Sequence, residues 1–197
     1  MEKILIYIKH HLGVLWYLIE WANGFLFYYI YSAKLEKIIP LVFCNFSQPP
    51  FSYRRMSIHD AGALSKLINA QSESDISYFH PHGFDDHSIR NQFENRSFLM
   101  MGAYDGDRLV GYFFLRFFAN KKSFVGRLID KEYRSRGIGL VMNSIMYEIS
   151  WQMGFRCLST ISRRNTAVIK AHGKNQAMKV LKDLQNDYLL VEFIKNN

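Results

Sequence analysis

The sequence predicts an α/β chain: a domain of alternating short strands and helices behind an apolar helical arm. Three observations predict it. Pro49-Pro50 divides the 197 residues into an arm, 1–50, and a domain, 51–197, because consecutive prolines stop regular structure. Beyond that boundary, apolar runs of strand length alternate with stretches of helical period. Among them, the segment Ser123–Asp130 enters a turn rich in Gly and Arg and then a long helical pattern, Leu140–Met153.

In order, Phe51–Ser57 reads as a strand. Asp60 is placed to cap a helix over Ala61–Ala70. Ser72–Asp85 reads as a loop. Asp86–Glu94 reads as a second helix, with Asp85 and Asp86 at the end where acids are favoured. Phe98–Tyr104 and Arg108–Phe117 are strands joined through Asp105-Gly-Asp107, a hairpin turn. A polar turn, Ala119–Lys122, leads to the strand Ser123–Asp130. After the long helix come a strand, Arg156–Ser162, a helix, Asn165–Lys174, and a hairpin of Met178–Leu184 with Tyr188–Ile194. The order is β-α-α-β-β-β-α-β-α-β-β.

Composition bounds the partners. Nearly half the residues are apolar (49%), enough for a full core. Cys44 and Cys157 are too few for a disulfide framework and fit a reducing, cytoplasmic compartment. The net charge of +8 suits nucleic acid, a membrane surface or an acidic ligand, or belongs to a basic surface with no partner. No arginine-rich tail, zinc spacing or RNA-binding signature stands in the chain, which argues against nucleic acid.

The arm is dense in aromatic and aliphatic residues, from Leu12 through Trp16 and Trp21 to Phe25-Leu-Phe-Tyr-Tyr-Ile-Tyr31. It lacks the small-residue cleavage site of a signal peptide. Glu20 and Asn23 would sit near the middle of any membrane span, which makes it a poor one. Two other arrangements fit: an apolar stripe packed on the domain or on a second copy, or one lying on a membrane with Lys3, Lys9, Lys34 and Lys37 towards anionic lipid.

The turn Arg134-Ser-Arg-Gly137-Ile-Gly139 carries the chemistry. Gly137 and Gly139 permit a tight turn and close approach of a ligand to the backbone. The first amides of the following helix have no partner within it and point outward as donors. Arg134 and Arg136 add positive charge. The guest that fits is a pyrophosphate. A P-loop is excluded, since no Gly-Lys-Ser/Thr ending follows, and the glycine spacing is wrong for a dinucleotide fold.

The remaining pattern, Arg134-x-x-Gly137-x-Gly139, resembles motif A of the GNAT N-acetyltransferase superfamily. The lead-in Leu128-Ile129-Asp130-Lys131-Glu132-Tyr133 is similar too, and the order of elements from Phe51 onward is the GNAT order. The resemblance implies a central mixed, mostly antiparallel, twisted sheet flanked by helices, with the arm outside it. It implies acetyl-CoA as donor and direct attack of an amine on the thioester carbon. The backbone of Arg134, Ser135, Arg136, Gly137, Ile138, Gly139 and Leu140 would hold the pyrophosphate. Leu128, Ile129 and Asp130 would pair with the pantetheine arm, with the Ile129 N–H as oxyanion donor. Asn165 matches an asparagine that contacts pantetheine, and is also a good helix cap.

Several positions depart from the family pattern. His172 stands where many members have a tyrosine that protonates the departing thiolate; a histidine there would do so directly or through water, or be an inert surface residue. Asn175-Gln-Ala177 replaces a usual Gly-Phe. Where many members carry a glutamate base, the nearest residues are Gly126 and Arg127, and neither can serve. The loop that lines the acceptor site in the family here reads Tyr78-Phe-His80-Pro-His82-Gly-Phe-Asp85-Asp86. His80 and His82 would remove a proton or grip a hydroxylated substrate, unless the loop is only packed by its aromatics; no third ligand makes them a metal pair. The reading is an N-acetyltransferase acting on a small primary amine, such as an amino sugar or sugar nucleotide. The alternative is a non-catalytic acyl-CoA-binding or membrane-associated scaffold. Contact with a membrane periphery or a homodimer through residues 1–40 stays open.

Overall fold

The computed structural model describes residues 13–165, 168–169 and 178–195. The arm forms one long helix, α1 (Gly13–Asn45), and the chain then turns through Phe51 N–H to Gln48 carbonyl at 2.8 Å. The domain follows as β1 (Phe51–Arg55), α2 (Ala61–Asn69), a single turn α3 (Glu73–Ile76) and α4 (Asp86–Glu94). Next come β2 (Phe98–Asp105), β3 (Arg108–Phe118), β4 (Lys122–Ile129), α5 (Ile138–Met153), β5 (Arg156–Ser162), β6 (Met178–Asp183) and β7 (Tyr188–Phe193).

The seven strands form one sheet in the order β1-β2-β3-β4-β5-β7-β6. Every pair is antiparallel except β4 with β5. The mixed, mostly antiparallel sheet therefore stands as expected. The strands β2 and β3 are buried almost throughout because both sheet faces are covered, which explains their unbroken apolar sequence. On one face, α1 and α5 cover Leu99, Met101, Phe113, Leu115 and Phe117. On the other, α2 and α4 cover Phe98, Met100, Tyr112, Phe114 and Leu128.

The arm helix packs on the sheet through Phe27, Leu35, Ile38, Ile39 and Val42. Phe27 stacks on Phe117 with ring centroids 4.7 Å apart. The two polar residues that spoil a membrane span fix the helix to the sheet instead. Asn23 accepts from Ala119 N–H at 3.0 Å and donates to the Phe117 carbonyl at 3.0 Å, and Glu20 pairs with Arg116. Among the described residues no helix is long and apolar enough to cross a membrane. The outer face of α1 remains exposed, with Trp21, Phe25 and Tyr29 stacked at helical spacing.

Most domain boundaries fall within two residues of the sequence reading, and four local features differ. The first strand stops at Arg55 because Ser57 starts a turn: its N–H donates to Asp60 Oδ2 at 2.7 Å. Asp60 does not cap α2 with its side chain. It faces inward, bidentate to Arg54 at 2.7 and 2.9 Å and accepting from Tyr104 OH at 3.0 Å. The loop Ser72–Asp85 contains α3, capped by the Ser72 hydroxyl. The helix after the Gly-rich turn begins at Ile138, two residues early, because Gly137 itself occupies the N-cap with φ +81°. His172 and Asn175-Gln-Ala177 lie outside the described residues, as does most of the expected helix Asn165–Lys174.

Candidate functional site

The parallel pair β4–β5 stays in register for three residues, Lys122 with Arg156 to Phe124 with Leu158. One further link, Ser159 Oγ to the Val125 carbonyl at 3.1 Å, closes the apex. Beyond it the strands part, and a cleft of about 660 Å³ opens between Gly126–Ile129 on one side and Thr160–Ser162 on the other. Its mouth is the turn at Arg134 and Ser135.

Strand geometry fixes which groups face this cleft. Successive residues present their N–H and C=O to opposite neighbours. The Asp130 N–H donates to the Val110 carbonyl, towards β3, at 2.9 Å. Ile129 and Arg127 therefore present theirs to the cleft, in phase with the Val125 carbonyl at its apex. Leu128 and Asp130 present theirs away from it. The Leu128 side chain is buried in the opposite core, and the Asp130 carboxylate is engaged by Arg108 at 2.9 Å and by the Glu132 N–H at 3.1 Å.

The turn itself is built on two left-handed residues, Ser135 (φ +63°) and Gly137 (φ +81°). A Cβ on Gly137 would stand 2.8 Å from Gln48 Nε2, and one on Gly139 would stand 3.0 Å from Ile129 Cδ1 and 3.1 Å from Arg127 Nε. The Leu140 and Val141 N–H groups already donate to the Gly137 carbonyl, at 2.9 and 3.3 Å. Among the described residues the N–H groups of Ile138 and Gly139 meet no acceptor, as expected for the first turn of a helix. They are the free donors of the turn, and a side chain at either glycine would crowd it.

The two turn arginines differ. Arg134 is committed: Nη1 meets Asp75 Oδ1 at 2.8 Å and Nη2 meets Gln71 Oε1 at 3.2 Å, bridging the turn to α3. The Arg134 guanidinium and then the Ser72 hydroxyl hold the Asp75 carboxyl below the usual carboxylate range. Arg136 lies over the Tyr133 ring at 4.7 Å and is exposed.

On the opposite wall, Tyr78, Phe79, His80 and Pro81 close the cleft. His80 is exposed and rests on the Phe84 ring, centroids 5.7 Å apart. His82 is turned into the core. Its Nδ1 lies 2.7 Å from the Gly83 carbonyl and so carries the proton, leaving Nε2 to accept from Tyr112 OH at 2.9 Å. Burial pushes the His82 pKa down, keeping the ring neutral. Asp85 caps α4 through the Ser88 N–H at 2.9 Å. Gly126 lacks a side chain for a physical reason: a Cβ there would stand 2.6 Å from Phe114 Cε1.

Asn165 lines the cleft and caps the next turn, its Oδ1 accepting from Val168 N–H at 3.1 Å. Three contributors escaped the sequence reading. Gln48 holds the Arg136 carbonyl at 2.8 Å while accepting from Tyr53 OH at 2.6 Å. The pair Gln71 and Asp75 secures Arg134. Arg127 faces α5 and donates to Asn143 Oδ1 at 2.9 Å. The signal available for the last was its charge inside an otherwise apolar strand.

No family model matches the chain, and no curated protein matches it. Solved structures do. The PaiA N-acetyltransferase from Thermoplasma acidophilum, in complex with coenzyme A, is similar at TM-score 0.63 and 19% identity, over 74% of this chain and 99% of that one. The GNAT domain of S. lividans PAT is similar at TM-score 0.63 and 13% identity, over 72% and 88%. YncA from Salmonella typhimurium, a putative acetyltransferase with acetyl-CoA, is similar at TM-score 0.55 and 14% identity, over 73% and 91%. At such identities the likeness establishes a shared fold.

Proposed function

We propose, from the GNAT fold that this chain carries, that it is an N-acyltransferase moving an acetyl group from acetyl-CoA to a primary amine. The observation that carries the reading is the parted β4–β5 edge, with the Ile129 N–H facing a cleft that ends on a glycine cradle. The donor supplies an activated acyl carbon as a thioester. The Ile138 and Gly139 amides would hold its pyrophosphate, and the β4 edge at Arg127 and Ile129 would pair with its peptide-like arm. The Ile129 N–H would then meet the carbonyl oxygen as charge develops on it. The N–C bond forms as the C–S bond breaks. The amine proton leaves to His80 or a water beside it, and the thiolate takes a proton from solvent or from His172, which the resemblance alone assigns.

The acceptor we infer is a small polar amine, an amino sugar or sugar nucleotide, because Tyr78 and His80 give its wall both ring faces and a hydrogen-bonding group. One observation favours the second reading, a non-catalytic acyl-CoA-binding scaffold: Phe114 fills the space at Gly126, so no base stands on β4. Calorimetry with acetyl-CoA, followed by thiol release over a panel of amines, separates the two. Binding with release supports the enzyme, binding without release supports the scaffold, and no binding overturns both.

We also infer that the outer face of α1 rests on an anionic membrane surface of the cytoplasm. Trp21 (60% exposed) and Tyr29 (82%) belong to a broad aromatic face on a chain of net charge +8. Flotation with anionic vesicles tests this. Recovery with vesicles, lost in Trp21→Ser/Tyr29→Ser, supports it; a dimer that ignores vesicles overturns it.

A further inference from the structure

Residues along β4 alternate between two sides of the sheet. Gly126 faces Phe79 and Phe114, on the wall with His80. Arg127 faces the other way, against Gly139 and Asn143 of α5. It therefore addresses the side on which the helix cradle lies, the donor side, and not the acceptor loop.

Among the described residues Arg127 is a cation without a counter-charge. Its side-chain partner is the neutral Asn143, and withdrawal from water pushes its guanidinium below its ordinary range. The other charged side chains among the described residues lining the cleft, Arg134 and Asp75, neutralise one another, so among the described residues the cleft keeps one uncompensated positive charge. A second polar group is stranded beside it. Tyr147 is only 6% exposed, lines the same cleft, and its buried hydroxyl meets no hydrogen-bond partner among the described residues. Buried polar groups are ordinarily satisfied, and an unsatisfied one in a cleft wall marks a place where a ligand atom belongs. Gly139, Asn143 and Tyr147 lie at four-residue intervals, so they share one face of α5. They run inward from the cradle over about 12 Å, at about 1.5 Å per residue. The polar stripe thus continues past any pyrophosphate towards the apex, where the acyl end of an extended donor would lie.

The geometry points to Arg127, Asn143 and Tyr147 as a subsite for a carboxylate at the far end of the acyl group, which makes the preferred donor a dicarboxylic acyl-CoA thioester. This rests on the acyl-CoA reading above and specifies its substrate. Arg127 would take the carboxylate oxygens through its fork of donors, and the Tyr147 hydroxyl would supply a further one.

The test is calorimetric, with free CoA, acetyl-CoA and succinyl-CoA as probes on the full chain. The wild type is expected to bind succinyl-CoA at least about ten-fold tighter than acetyl-CoA, as a charge-assisted contact provides. Arg127→Met is expected to abolish that preference, bringing succinyl-CoA affinity down to that of acetyl-CoA, because the guanidinium is removed while the strand's backbone edge stays in place. Its melting temperature should hold or rise, since an unpaired desolvated charge is removed. Tyr147→Phe, which keeps the ring stacked on Phe193, should narrow the preference without loss of folding. Equal affinity for the two thioesters in the wild type overturns the proposal whatever the variants do. So does a uniform loss for all three probes in Arg127→Met, which assigns the guanidinium to the pyrophosphate. Failure of free CoA to bind wild type removes the acyl-CoA reading itself and the subsite with it.

Discussion

The Gln48 side chain donates from Nε2 to the Arg136 carbonyl at 2.8 Å, joining the end of the arm to the glycine turn across 88 residues of sequence. The same amide nitrogen lies 2.8 Å from where a Cβ on Gly137 would stand, so it fixes the turn and would have to shift if a side chain were added there. Gln48→Ala removes a bond worth about 1 kcal/mol. The expected result is roughly five-fold weaker donor binding with little change in melting temperature, read by calorimetry and thermal unfolding.

Gly137→Ala faces two penalties. The backbone is left-handed there, which costs a non-glycine residue about 1–2 kcal/mol, and the new methyl meets Gln48. Donor binding should fall by an order of magnitude or more and the melting temperature should drop by a few degrees. Unchanged binding in the folded variant would remove the turn from the donor site.

Asp75 neutralises Arg134 at the cleft mouth. Asp75→Asn takes away that negative charge and releases the guanidinium. Donor affinity should rise by a few-fold, and more at low salt than at high, because the pair is part-exposed and screened. Titrations at two ionic strengths check both directions.

The two loop histidines separate by measurement. His80→Ala should lower turnover with little loss of stability, since His80 is exposed. His82→Leu leaves Tyr112 OH buried without its acceptor, a cost of about 1–3 kcal/mol. It should also change the pH dependence of stability. His82 has its pKa lowered on folding, so its neutral form is stable above the unfolded value of 6.5. Stability falls as pH drops below 6.5, where the unfolded chain binds a proton that the folded one refuses, and continues to fall towards the folded pKa. Melts at pH 7.5 and pH 5.5 should diverge in the wild type and diverge less in His82→Leu.

What could be read from sequence follows the range of the interactions. Arg156–Ser162 and Asp86–Glu94 match the structure residue for residue, since short apolar runs and acidic caps are local signals. The glycine turn was legible for the same reason: the backbone demand and the residue that meets it coincide. Asp60 was assigned a cap because its partners Arg54 and Tyr104 act through side chains that no periodicity reports. Gln48 and the Gln71–Asp75 clasp were invisible because their targets lie 88, 63 and 59 positions away. The inward turn of His82 depends on Tyr112, thirty residues on, while His80 two positions earlier stays outside.

The alternation along β4 has a kinetic consequence. A residue such as Gly126 looks towards the aromatic loop, and its neighbour Arg127 looks towards α5, so the two reactants would approach one strand from opposite sides. Neither has to leave before the other arrives. The reaction should therefore run through a ternary complex, with intersecting rather than parallel double-reciprocal lines, and no acyl group should be recoverable on the protein after incubation with donor alone.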